Sequence, residues 1–179
     1  MVRIRLTSAL ALGCEVGPGL GCFPFSWKTF AEYLQDAGVS WQVYQNQDNF
    51  GDDALGSFTQ FMNAGPNSPL TLRGNSFPGL QKFYDDAMNG TLPLVSWIVG
   101  PAELSEHNPY MPKDGAWLLQ QVVNAVTQGE SAKDTVLFVM YDGTLSPSCL
   151  CFSATNHDCR DWWLGRLVTV PPHGTGYAK

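Results

Sequence analysis

The chain has 179 residues, 44% of them hydrophobic and 12% aromatic, enough for one domain with a real core. Only 15% are charged and the formal net charge is −6, which excludes the polybasic footprint of a nucleic-acid or anionic-membrane binder. No apolar run approaches the roughly 20 residues of a transmembrane helix.

Residue types divide the chain into an N-terminal extension, 1–24, a central unit, 25–142, and a tail, 143–179. The five cysteines (Cys14, Cys22, Cys149, Cys151, Cys159) all lie in the two end segments. The central unit carries all but three of the acidic residues and only half of the basic ones. An odd cysteine count argues against a disulfide framework. The spacing of Cys149, Cys151, His157 and Cys159 matches no usual zinc pattern. At the start, Arg3 and Arg5 precede the apolar stretch 6–12 in the outline of a short signal peptide, with an untargeted start as the alternative.

In the central unit, Thr29 and Glu32 stand at capping-box spacing ahead of a helix with Phe30, Tyr33, Leu34 and Ala37 on its apolar face, closed by Gly38. Residues 39–44 alternate as a half-buried strand, and 45–51 follow as a polar loop. Asp52 or Asp53 caps a second helix bearing Leu55, Phe58, Phe61 and Met62, after which 63–75 read as loop. Pro78 opens a third helix that buries Leu80, Phe83, Tyr84 and Met88 and stops at Asn89-Gly90.

The stretch 92–110 organises the rest. Residues 94–99 form a short apolar run with β-branched and aromatic members, closed by Gly100-Pro101 as a buried strand would be. Ser105-Glu106-His107-Asn108 then places a carboxylate and an imidazole in a loop at the C-terminal end of that strand, where open α/β sheets hold their ligands. Asp114 caps a fourth helix whose Leu118, Leu119, Val122, Val123 and Val126 share a face and which ends at Gly129. Residues 135–141 are a continuous apolar run that both faces of a sheet would bury, and they lead into Asp142. Strands alternating with helices define an α/β fold, a mainly parallel sheet with helices on both faces, with Asp142 at the same sheet edge as Glu106 and His107. By residue type alone, Asp142 also fits a turn or cap, and His107 an ordinary loop histidine.

Residues 27–34, 37–45, 48–52, 90–100 and 105–112, in that order, resemble the phosphoesterase family of phospholipase C and acid phosphatase enzymes, its fungal members above all. The similarity covers about 25–142. It implies an incomplete alkaline-phosphatase-like fold, hydrolysis of phosphate esters with phospholipids among the substrates, a divalent metal ion, and an extracellular location in keeping with the signal-like start. Family members carry a metal-binding Glu-Asn, a nucleophilic Thr or Ser before Pro-Asn-Arg, and an Asp-Glu-x-x-Gly-Gly-Trp-x-Asp-His-Val segment directly after a strand. Two of these positions carry over by resemblance. Asp142 opens the last segment and is the candidate metal ligand. His107 matches the upstream loop histidine and suits a phosphate oxygen or a proton. Glu106 and His107 are the candidate catalytic residues. The Glu-Asn and nucleophile motifs have no counterpart in the chain, and their positions would precede Met1.

After Asp142 the resemblance stops. The codons of Arg160-Asp-Trp-Trp-Leu-Gly-Arg166, read one base later, are able to encode Glu-Thr-Gly-Gly-Trp-Ala, the family sequence expected straight after Asp142. The Trp162-Trp163 pair forces Gly-Gly in the shifted frame. Residues 143–159 therefore read as translated intron, and the tail as irregular apart from a short element within 162–170. The expectation is a phosphoesterase without turnover of its own. The competing class is a non-catalytic chain that binds a partner through an unfinished sheet.

Overall fold

The computed structural model describes residues 24–47, 55–106 and 109–140, and the backbone of 167–170. Helix α1, Phe30–Asp36, begins at the expected capping box: the Glu32 amide donates to Thr29 Oγ1 (3.3 Å) and the Thr29 amide to Glu32 Oε2 (2.7 Å). Gly38 follows with φ 68°, the left-handed conformation that closes a helix. Its buried face differs from the expected one. Ala31 and Leu34 are buried and Phe30 packs partly beside them, whereas Tyr33 is 57% exposed and Ala37 also faces solvent.

Strand β1, Trp41–Gln45, is buried on both faces rather than half-buried, because helices lie against each side of it. The second helix is much shorter than expected. Leu55 lies in a turn, Phe58 forms an isolated parallel bridge with Phe25, and only Thr59–Met62 is helical, as α2, with Met62 exposed. Asp52 and Asp53 lie outside the described residues. The stretch expected to be loop contains helix α3, Pro69–Gly74, capped by the Ser68 hydroxyl, which accepts from the Leu70 amide at 3.2 Å. A serine cap followed by proline in the first helical position was the readable signal for it.

Helix α4, Gly79–Met88, buries Leu80, Phe83, Asp86 and Ala87, while Met88 turns to solvent and Tyr84 is partly buried. Strand β2, Val95–Val99, matches the expected central strand. A 3₁₀ turn, Ala102–Leu104, leads towards helix α5, Pro112–Gln128. Asp114 is not the cap of α5 but lies in its first turn, where its carboxylate accepts from the Met111 amide at 3.3 Å. Leu118, Val122, Ala125 and Val126 form the buried stripe of α5, with Leu119 and Val123 at its margin. After a second 3₁₀ turn, Ala132–Asp134, comes β3, Val136–Phe138, and in the tail β4, Leu167–Val170.

The four strands form one sheet in the order β1-β2-β4-β3. β1 and β2 are parallel, with Gln45 beside Val99 at their C-terminal ends. β4 is antiparallel to both β2 and β3, so β1, β2 and β3 run in one direction around a single reversed strand. Apolar clusters cover the two faces. Trp41, Val43, Val95 and Trp97 pack with Leu34 and Phe61 on one side. Tyr44 and Ile98 pack with Phe83, Ala87, Leu118 and Val122 on the other, where both crossover helices α4 and α5 lie.

The expectation of a strand buried on both faces fails at β3. Leu137 packs on the α4–α5 cluster, but Val136 is 45% and Phe138 49% exposed, and Val139 and Met140 are exposed as well. Through Val168, Phe138 is in register with Trp97, so it belongs to the face that α1 and α2 cover over β1 and β2. Among the described residues that helical layer does not reach β3. The tail meets its one expected exception, since β4 falls within 162–170; residues 143–159 lie outside the described residues.

Candidate functional site

The segment leaving β2 is built from short local bonds. The Leu104 amide donates to Pro101 O (2.9 Å), and the Ser105 amide and hydroxyl both donate to Ala102 O (3.2 and 2.7 Å). Ser105 and Ala102 are buried, and the turn packs against α5 through Leu104 in the second apolar cluster. This anchored turn delivers Glu106 just beyond the C-terminal end of β2, the edge expected from the sequence. Glu106 takes φ 61°, an uncommon conformation for a residue with a side chain. Its side chain lies over Gly115 in the first turn of α5, and burial pushes its carboxyl above the ordinary value of 4.5. His107, Asn108 and Asp142 lie outside the described residues, so of the three candidate site residues the described structure positions Glu106.

Two further features mark the same edge. The Asn46 side chain accepts from the Leu80 amide at 2.9 Å, tying the end of β1 to the start of α4. Gln45, read from sequence as the start of a polar loop, is instead the last residue of β1, 1% exposed, with its Nε2 unpaired among the described residues. A buried amide donor without an acceptor is uncommon and costs free energy. Nothing in the alternation of residues 39–44 singles it out, because its burial depends on helices packed from both sides.

Below the edge lies a buried carboxylate that the sequence reading passed over. Asp86 accepts from Tyr44 Oη (2.7 Å), Lys82 Nζ (2.5 and 2.7 Å) and Thr91 Oγ1 (3.0 Å). Burial pushes its carboxyl up, but the hydrogen bonds from Lys82, Tyr44 and Thr91 outweigh that and hold it below its ordinary value. Burial first, and then Asp86, drive the Tyr44 hydroxyl well above its usual range. Every strong partner is a structural one, so this cluster ties α4 to β1. A surface depression lined by Lys28, Glu32, Gln35, Asp36, Pro69 and Leu70 shares no residue with the Glu106 loop.

A short polar loop on the C-terminal side of a parallel strand pair, followed by a long helix, is where open α/β sheets hold their ligands. The chain belongs to the Phosphoesterase family, which matches residues 18–144. It is 43% identical over 121 residues to the non-hemolytic phospholipase C of Pseudomonas aeruginosa, covering 66% of this chain and 18% of that protein. To the non-hemolytic phospholipase C of Burkholderia pseudomallei it is 36% identical over 161 residues, 73% of this chain and 23% of the relative. To phospholipase C A of Mycobacterium tuberculosis it is 34% identical over 151 residues, 73% of this chain and 28% of the relative. The chain thus spans less than a third of the length of these bacterial relatives. The fold is the α/β architecture of that family with an incomplete sheet, and the lineage is that of phosphate ester hydrolases. Among the described residues no helix is long and apolar enough to cross a membrane.

A divalent metal is part of what the family resemblance implies. Among the described residues no three His, Cys, Asp or Glu side chains converge as ligands would. Asp142, the candidate metal ligand, lies outside those residues.

Proposed function

We propose that this chain is a partial phosphoesterase domain, derived from enzymes that cleave phosphate esters with phospholipid substrates among them, and that it does not turn over by itself. The observation that carries the reading is the family match over 18–144, with the Glu106 loop leaving the C-terminal end of β2. In the complete site Glu106 would hold a proton for transfer, since a carboxyl raised by burial keeps its proton to higher pH than usual. His107 would face a phosphate oxygen or move a proton, and Asp142 would contribute to a divalent metal site. Kinship with acid phosphatases and fungal members, and an extracellular location, are finer parts of the same proposal.

The Glu-Asn and Pro-Asn-Arg motifs do not occur in these 179 residues. Groups that act as a catalytic unit lose nearly all rate when one is missing. Assays with p-nitrophenyl phosphate and p-nitrophenylphosphorylcholine, with divalent metals added, are expected to show no hydrolysis above background. Robust turnover that disappears in both His107→Ala and Asp142→Ala would show instead that the chain builds a working site. The second reading, a non-catalytic binding module, is favoured by the uncovered apolar side chains of β3. It predicts concentration-dependent association that the same two site variants leave unchanged.

A further inference from the structure

Gly115 is the fourth residue of the 17-residue helix α5. Alanine is the better helix former, because glycine gives up more backbone freedom on folding, so glycine in this helix calls for a reason. A Cβ built on Gly115 would fall inside the Glu106 side chain, overlapping Cγ and Oε1 and coming within 2.6 Å of Cδ. Rotating the carboxyl alone does not clear the clash, since Cγ is already involved. Nor is the backbone of Glu106 free to retreat. It holds φ 61°, and Ser105 just before it is buried and bonded twice to the Ala102 carbonyl.

We infer that Gly115 is a positioning residue: by lacking a side chain it seats Glu106, the described end of the loop after β2, on the first turn of α5. Its importance for catalysis rests on the reading of that loop as the phosphoesterase site, whereas the seating itself does not. The seat confines the Glu106 side chain between its anchored turn and the helix.

The test is a double-mutant cycle followed by thermal melting of the full chain. Gly115→Ala alone is expected to lower the melting temperature by about 3 °C, despite the better helix propensity of alanine. In a Glu106→Ala background the same change should leave the melting temperature unaltered or raise it. Glu106→Gly provides a second background, because glycine accepts the φ at that position without strain. In parallel, the assigned His107 ring resonance should move in Gly115→Ala. An equal shift in melting temperature with and without the Glu106 side chain overturns the inference, as does an unmoved His107 signal. Failure of the phosphoesterase reading would show separately, as a wild-type His107 signal that does not respond to added inorganic phosphate, and it would leave the cycle unaffected.

Discussion

Asp86 holds α4 to β1 because three donors converge on one buried carboxylate, and its removal leaves Tyr44 Oη buried without an acceptor. Asp86→Ala is expected to cost about 2 kcal/mol at neutral pH, read from denaturant unfolding. The pH dependence follows from the lowered folded value. The contribution is complete above the ordinary value of 3.8 and is lost as pH falls through the lowered one, so the wild-type advantage should shrink in acid. Glu106 behaves in the opposite sense. Its folded value is raised above 4.5, so stability is lost as the pH rises from that ordinary value through the raised one. Glu106→Gln should therefore raise stability slightly at neutral pH, with the gain vanishing below the ordinary carboxylate range. The two profiles, measured side by side, separate a carboxylate the fold uses from one it tolerates.

Among the elements, the two ends of α1 were legible, because a capping box and a closing glycine are local devices that need no tertiary partner. Thr29→Ala should cost about 1 kcal/mol in a denaturant titration. Glu32 would keep other partners, since its carboxylate also accepts from Gln60 Nε2 (2.7 Å). The overlong second helix has a tertiary cause, whereas α3 carries a local signal in Ser68 and Pro69. Leu55, Phe58 and Phe61 are all buried at apolar spacing, yet Phe58 is held in extended backbone by its bridge to Phe25, and tertiary pairing ended the helix that periodicity favoured. β3 shows the same limit from the other side. Its run of apolar residues reads as a central strand, but it lies at the end of the sheet, and one face lacks a helical layer among the described residues. Exposed apolar edge strands favour association. Val136→Thr combined with Phe138→Thr, both compatible with strand structure, is expected to reduce concentration-dependent light scattering without weakening the fold.

For the whole molecule, the decisive feature is that a tail outside the family match supplies an inner strand. β4 hydrogen-bonds to both β2 and β3, so no direct β2–β3 pairing exists to survive its loss. A chain ending at Asp142 is expected to lose the docking of β3 while keeping the β1–β2 pair, seen as faster amide exchange at 136–138 than at 95–99. Equal protection in both strands would show that α5 alone holds β3 in place. The sequence by itself determined the family, the order of helices and strands through 25–140 apart from α3, and the loop carrying Glu106, because motif spacing, caps and apolar periodicity are written in local residue order. The tertiary structure alone decided the rest: the burial of Gln45 and Asp86, the seat of Glu106 on Gly115, the exposure of β3, and the place of β4 between two strands that run together. Each of these depends on which surfaces meet across long stretches of chain, and a period of two or of 3.6 residues carries no record of what lies on the far side of a face.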